Sequence, residues 1–184
     1  MVIIKRIIIT MKNKSNQSSD DSAEIKAYRK KVEKHYKEKK VIEFDNSSVA
    51  HAEIVTEHLF KYATENKTDI KIFTGELKAS FYDKFLEQAR VLLKTQKISI
   101  ICEKKSETGK FQDLISNDKK GQIADIGTTK AIGVSHFILA GDSAYRDETS
   151  DTLKMADASF NGYMRGSFLS VLFDEIEKNI KNLA

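Results

Sequence analysis

The sequence predicts an α/β domain in which helices flank a mixed β-sheet. Two short apolar runs, IKIF (70–73) and KISIIC (97–102), have the length and composition of buried strands. Between them, the segment FYDKFLEQARVLLK repeats apolar residues at helical spacing. Two strands joined through a helix of this length form a βαβ unit, so we expect the two strands to lie parallel in one sheet.

The other elements follow in chain order from the same patterns. VIEF (41–44) predicts a short strand, and DNSS after it offers cap residues for a helix that starts near Val49. After the βαβ unit we expect a turn around 111–115, two extended segments at IADIGTT and AIGVSHFILA, and a hairpin after His136. A last helix is predicted from about Arg165 to Asn182, with an apolar face of Phe168, Leu169, Leu172, Phe173, Ile176 and Ile180.

Composition narrows the class of protein. With 184 residues, 40% of them hydrophobic and 32% charged, the chain suits one globular domain with a strongly charged surface. Its one cysteine, Cys102, lies in an apolar run, which predicts a buried, inert thiol and a reducing, cytoplasmic setting. No spacing of Cys and His typical of a metal site is present, so we expect neither a metal nor a cofactor.

The first 22 residues are predicted to be a flexible leader. The run MVIIKRIIIT is far too short to cross a bilayer and is broken by Lys5 and Arg6, so we expect no membrane association. It is either an upstream-start artefact, with translation beginning at Met11, or a short added strand. The predicted organisation is therefore a leader (1–22), a basic amphipathic helix (23–40) and the α/β domain (41–184).

Positive charge is concentrated near the start of the chain. Residues 1–40 hold 12 Lys or Arg and 5 Asp or Glu, whereas the whole chain has a formal net charge of +4. Within 24–40, a narrow apolar stripe recurs at helical spacing, formed by Ile25, Tyr28, Val32 and Tyr36. We favour a solvated helix whose stripe packs on the domain. Two alternatives remain, an acidic partner protein or nucleic-acid phosphates bound by Lys26, Arg29, Lys30, Lys31, Lys34 and Lys37.

The order of elements from residue 46 onward resembles one half-domain of the phospholipase D superfamily. There, a hairpin carries His-x-Lys-x4-Asp and a later segment carries a Ser/Asn pair. Here SHFILAGD and ADASFN occupy those places, so His136 matches the family histidine, Asp142 approximates the aspartate, and Ser159 and Asn161 approximate the pair. Ile138 stands where the family has the lysine that holds phosphate oxygens, and Asp142 comes one position early. The resemblance thus implies a phospholipase D-like fold with a degenerate motif.

Whether another group completes the site depends on the hairpin register. If Gly141-Asp142 is a two-residue turn, His136 faces Asp147 across the hairpin, and Arg146 falls on the opposite face from His136. Asp147 would then orient the imidazole. A bulge at Gly141 would reverse these faces. The alternative for His136 is a histidine that caps a strand end.

Two functions are open at this point. The first is a catalytically degenerate domain that acts as a binding or regulatory subunit, in a bacterial nucleic-acid system such as defence or a mobile element; the Lys-, Ile- and Asn-rich composition suits an AT-rich genome. The second is a metal-independent phosphodiesterase or nuclease with His136 as nucleophile, in a homodimer, as the resemblance implies. Its candidate site residues are His136, Asp142, Asp147, Ser159 and Asn161.

Overall fold

The structure is a computed structural model that describes residues 22–41, 43–104, 108–127, 134–150 and 155–183. The helices are α1 (Ala23–Glu38), α2 (Val49–Asn66), α3 (Ala79–Tyr82), α4 (Leu86–Leu93), α5 (Lys110–Asn117) and α6 (Tyr163–Leu183). The strands are β1 (Phe44–Asn46), β2 (Ile70–Thr74), β3 (Ile98–Cys102), β4 (Gly121–Asp125), β5 (Phe137–Ala140), β6 (Ala144–Ser150) and β7 (Met155–Ser159). The predicted leader lies outside the described residues apart from Ser22, which caps α1.

All seven strands form one mixed sheet in the order β1-β7-β6-β5-β2-β3-β4. Strands β2, β3 and β4 are parallel, and the other neighbouring pairs are antiparallel. The predicted βαβ unit is confirmed, because Ile70 pairs with Ile98 in a parallel ladder. The α/β class with a mixed sheet flanked by helices is therefore confirmed.

Helices cover the two faces of the sheet unequally. The larger core packs under α1 to α5, and the four apolar residues of the α1 stripe are buried in it. On the other face, α6 packs Leu169, Phe173 and Ile176 against Phe137 and Tyr145. Phe168, predicted on the apolar face of this helix, is instead 54% exposed. It lies on the outer side of α6, where the Arg165 guanidinium stacks over its ring.

Local signals explain where several elements begin. The Ser48 hydroxyl accepts a hydrogen bond from the His51 N–H at 3.1 Å, so α2 starts where the cap residues predict. The helix predicted between β2 and β3 is divided by a 3-10 turn (Asp83–Phe85), and the Asp83 carboxylate accepts from the Phe111 N–H of α5 at 2.9 Å. Residues 111–115, predicted as a turn, lie in α5. The strand predicted at 41–44 lies at Phe44–Asn46, where pairing with β7 places it.

The hairpin between β5 and β6 has a three-residue loop, Gly141 to Ser143, with Gly141 at a φ of 61° that favours glycine. Ile138 therefore pairs with Arg146, and Phe137 pairs with Asp147. The register expected for a two-residue turn is wrong by one residue. The extra loop residue moves every β6 side chain to the other face of the sheet.

Cys102 is buried as predicted, and burial raises the pKa of its thiol to about 12. In the part of the chain that the structure describes, no helix combines the length and apolarity needed to cross a membrane.

Candidate functional site

A cavity of about 400 Å³ opens beside the carboxyl ends of β2 and β3. The cavity lies at a switch point of the sheet, because β3 and β4 lie on one side of β2 while β5 and β6 lie on the other. Such a point in an open α/β sheet is a common ligand site. The polar side chains that line the cavity are Ser48, Thr74, Glu76, Lys78, Ser80, Tyr82, Glu103, Lys104, His136, Arg146 and Glu148.

Arg146 provides a buried cation in the cavity. The hairpin register puts it opposite Ile138 and on the same face as Glu148, and its exposed fraction is 5%. Its Nη1 donates to Glu148 Oε1 at 3.0 Å. With the Asn46 amide oriented so that its oxygen faces donors, that oxygen accepts from Arg146 Nε at 3.0 Å and from the Ala52 N–H at 3.1 Å. These contacts fix the guanidinium in the cavity wall.

His136 lies between two carboxylates. Its Nδ1 is 3.3 Å from Glu148 Oε2, and its Nε2 is 3.4 Å from Glu103 Oε2. The hydrogen bond with Glu148 raises the pKa of His136 above its usual value, burial opposes this, and Glu103 adds to the rise. Burial also disfavours the charged form of Glu148, but His136 and Arg146 outweigh that effect and lower its pKa. The arrangement favours an imidazolium held between Glu148 and Glu103.

The backbone beyond β2 and β3 brings Glu103 to His136. The Glu103 N–H donates to the Thr74 carbonyl and the Lys104 N–H donates to the Gly75 carbonyl, both at 3.0 Å. Gly75 gives the imidazole its room, because a Cβ there would lie 3.0 Å from His136 Cε1. The parallel pairing therefore continues past the strand ends and carries a carboxylate into the cavity.

Asp147 does not face His136 across the hairpin. It points to the α6 side of the sheet, where its carboxylate accepts from Arg165 Nε and from the Ser135 hydroxyl, both at 2.7 Å. The three-residue loop is the reason, since it exchanges the faces of Asp147 and its neighbours. Glu148 takes the place beside His136 that was expected for Asp147, and Arg146 comes to the cavity side.

The other three predicted site residues lie at the hairpin end of the sheet. Asp142 is exposed in the hairpin loop. Ser159 is buried in β7, where it pairs with Tyr145 of β6, and its hydroxyl accepts a hydrogen bond from the Asn161 N–H at 3.2 Å. Asn161 Nδ2 donates to the Lys39 carbonyl at 2.8 Å, just beyond α1. His136 stands at the other end of β5, about 13 Å away over four strand residues. The structure does not bring these residues together with His136.

The six cationic side chains predicted to bind nucleic acid are all exposed on α1. Described carboxylate neighbours include Glu57 for Arg29 at 2.7 Å, Asp45 for Lys31 at 3.0 Å, Glu33 for Lys37 at 3.1 Å and Glu38 for Lys34 at 4.0 Å. Arg29, Lys30, Lys34 and Lys37 line a separate groove between α1 and α2, and Lys26 lies nearer the start of the helix. No described α1 residue lines the cavity at His136.

The sequence reasoning missed Glu103 and Glu148 as site residues, and it brought Arg146 to the face of His136 only if the hairpin had an extra residue at Gly141. Two signals were present. Glu103 follows directly after a predicted buried strand, and parallel strands end at a common edge of the sheet. Arg146 and Glu148 are two residues apart and share one face of β6, and His136 and Ile138 share one face in the same way. A three-residue loop places these two faces on the same side of the sheet.

Comparisons with known proteins add no relative. A scan against protein-family models, a search of curated proteins and a search of solved structures each return no match for this chain. Within the described residues, no group of three His, Cys, Asp or Glu side chains is arranged to hold a metal ion.

Proposed function

We propose that the chain is a nucleic-acid-binding module, phospholipase D-like but without efficient cleavage, whose cavity at His136 receives a phosphate group. The observation that carries the proposal is the buried Arg146 guanidinium in the same cavity as His136. In the phospholipase D-like motif a lysine supplies the cation, and here Arg146 faces the position, Ile138, where that lysine is missing.

The chemistry of the lining suits an oxyanion. A guanidinium offers a planar fork of donors that matches two phosphate oxygens. Ser48 and Val49, at the N-terminal end of α2, also line the cavity, so the partial positive charge of that helix end acts in the same direction. Lys78 and Lys104 add two further ammonium groups. Together these groups provide the charge stabilisation that phosphate recognition needs.

The same geometry favours binding over cutting. A histidine nucleophile attacks through an unprotonated ring nitrogen. Here the carboxylates at Nδ1 and Nε2 favour the imidazolium, which has no lone pair to use. The imidazolium remains a good hydrogen-bond donor to a phosphate oxygen. This geometry supports the proposal of a binding or regulatory subunit, and the bacterial nucleic-acid system remains part of the proposal, suggested by composition.

One observation favours a second function, a metal-independent phosphodiesterase acting in a homodimer. Glu148 holds Nδ1 of His136, as an orienting carboxylate does in a catalytic pair. If the half-buried Glu103 side chain left Nε2 on substrate binding, a neutral His136 could attack phosphorus. The partner's copy of the same histidine would then serve as the acid for the leaving group.

One assay separates the two functions. Labelled single-stranded DNA, single-stranded RNA and duplex DNA are mixed with the protein at 50 and 200 mM salt in EDTA, and binding and cleavage are read from the same samples. We expect binding that weakens with salt, no cleavage, and at least a tenfold loss of affinity in His136→Ala, because two carboxylates would then face the phosphate without the imidazolium. His35→Ala on α1 is the matched control and should bind normally.

Two results would decide against the proposal. Cleavage in EDTA that disappears in His136→Ala would establish the phosphodiesterase. Binding that survives His136→Ala but is lost when Arg29, Lys30 and Lys31 are all changed to Gln would move the nucleic-acid site to α1.

A further inference from the structure

We infer that the cavity receives the phosphorylated end of a single nucleic-acid strand, with the terminal phosphate at Arg146 and His136 and the terminal base against an apolar wall. The inference rests on the proposed phosphate binding and goes beyond it, since it specifies which phosphate of a nucleic acid enters. Three features of the cavity support it: the depth of its cations, its apolar lining and its charge.

The cations of the site lie below the protein surface. Arg146 is 5% exposed and the His136 side chain 22% exposed, in a cavity of about 400 Å³. That volume lies near the lower limit for small-molecule sites, about 300 to 1,000 Å³. It cannot admit a duplex, whose major groove alone is about 12 Å wide. An internal phosphate is tethered on both sides, whereas a terminal phosphate is tethered on one side and can reach a recessed guanidinium.

Apolar groups line the rest of the cavity. Ile138, which pairs with Arg146, is buried in its lining, whereas Phe81 is half-buried and Val49 is 54% exposed, so these two lie nearer the mouth. Bases of single strands stack on aromatic side chains, because every base has an exposed π-face when it is unpaired. A terminal base in a duplex is already paired with its partner and stacked on its neighbour. The wall therefore suits a terminal nucleotide of a single strand.

Charge also favours a terminal phosphate. The cavity is lined by four groups that are or can be cationic, His136, Arg146, Lys78 and Lys104, and by three carboxylates, Glu76, Glu103 and Glu148. A phosphomonoester has a second pKa near about 6 and carries about −1.5 to −2 at neutral pH, whereas an internal phosphodiester carries a single negative charge. The monoester is attracted more strongly by the same cations and competes better with the Glu103 carboxylate for His136.

The test uses ten-residue oligothymidylates that differ only at one end. One pair carries a 5′-phosphate or a 5′-hydroxyl with fluorescein at the 3′ end; a second pair carries a 3′-phosphate or a 3′-hydroxyl with fluorescein at the 5′ end. Affinity is measured by fluorescence anisotropy. We expect the phosphorylated member of at least one pair to bind at least tenfold more tightly than its hydroxyl counterpart, and a phosphorylated blunt duplex to bind no better than the hydroxyl oligonucleotide.

Two variants locate the preference for the phosphorylated end without changing Arg146 or its partners Glu148 and Asn46. Val49→Trp places an indole at the mouth of the cavity and should abolish the preference for the phosphorylated end. Val91→Trp is the matched control, because Val91 is similarly exposed, 47%, on a helix away from the cavity, and it should keep the preference. Circular dichroism checks that both variants fold.

The possible failures can be told apart. Equal affinity for phosphorylated and hydroxyl ends, with both weakened by His136→Ala, would overturn the end-binding inference and leave the proposed function intact. Oligonucleotide affinities that respond neither to His136→Ala nor to Val49→Trp would overturn both. A phosphorylated duplex bound as tightly as the phosphorylated single strand would overturn the single-strand requirement.

Discussion

Glu103 holds a carboxylate where the account places a ligand oxygen, so changing it to glutamine should strengthen phosphate binding. Its Oε2 is 3.4 Å from His136 Nε2, and its side chain is 28% exposed, so a ligand can displace it. Glutamine keeps the size of the side chain and removes its charge. The backbone hydrogen bond from the Glu103 N–H to Thr74 is unaffected by the substitution, and the fold should persist.

The size of the effect follows from two contributions. Displacing a partly exposed ion pair costs about 0.2 to 1 kcal/mol. Repulsion between the displaced carboxylate and a phosphomonoester of charge about −1.5 to −2, about 6 Å away, adds about 1 to 1.4 kcal/mol in a water-like dielectric. Removing both contributions should strengthen binding by about 1 to 2 kcal/mol, which is about five- to thirtyfold in Kd.

The affinity of Glu103→Gln for the phosphate should also depend on pH in a definite direction. The pKa of His136 is raised, by Glu148 first and by Glu103 in addition, so the cationic form that binds phosphate persists above its usual range and is lost as the pH rises through that pKa. Glu103→Gln removes one of the groups that raise this pKa. The affinity of the variant should therefore begin to fall at a lower pH than that of the wild type.

Anisotropy with the end-phosphorylated oligothymidylate measures both effects. Glu76→Gln is the matched control: it removes the same charge from the same cavity, but Glu76 makes no described contact with His136, so we expect at most about a twofold gain from screened, longer-range attraction. Unchanged or weaker binding in Glu103→Gln, or an equal gain in Glu76→Gln, would show that Glu103 does not compete with the phosphate for His136.

Three further changes test other parts of the structure. Gly166→Ala should lower the free energy of unfolding by about 1 to 3 kcal/mol in urea denaturation, although alanine normally stabilises a helix, because its Cβ would lie 2.4 Å from a backbone oxygen of the hairpin loop; equal or higher stability would contradict the packing. His51 stacks on Tyr28, neither of its ring nitrogens has a hydrogen-bond partner among the described residues, and burial lowers its pKa. The contribution of neutral His51 to the free energy of unfolding is fully present above the unfolded pKa of about 6.5 and is lost as the pH falls below it. His51→Phe should therefore reduce the loss of stability between pH 7 and pH 5, measured by urea denaturation at both pH values. Asp147→Asn breaks the contact with Arg165 on the α6 side and should leave oligonucleotide affinity within about twofold while lowering stability; a tenfold loss of affinity would place Asp147 in the site.

Local patterns predicted the parts of the fold that depend on local interactions. The strands IKIF and KISIIC, the capped start of α2 and the buried stripe of α1 each follow from residues within one element. The position of β1 does not follow from its own residues, because the strand is fixed by pairing with β7, more than a hundred residues later in the chain. Edge strands of three residues carry little pattern of their own.

The candidate site was predicted in part for a similar reason. His136 was identified from the match of SHFILAGD to the phospholipase D-like hairpin motif, but the faces of Arg146, Asp147 and Glu148 depend on whether the loop has two or three residues. Tertiary contacts accompany the longer loop: the Ser143 hydroxyl is 2.9 Å from the Tyr62 hydroxyl, and the Ser143 carbonyl accepts from the Gly162 N–H at 2.8 Å. A one-residue difference that rests on such distant contacts cannot be seen in the hairpin sequence.

The most direct test of the account is to follow the histidine side-chain resonances by NMR while the end-phosphorylated oligothymidylate is added. The chain has four histidines, and they report on different regions: His136 on the cavity, His35 on α1, and His51 and His58 on α2. We expect the His136 signals to shift in proportion to binding while the His35 signals stay in place. Shifts at His35 with His136 unchanged would contradict this expectation and assign the phosphate contacts to the basic face of α1.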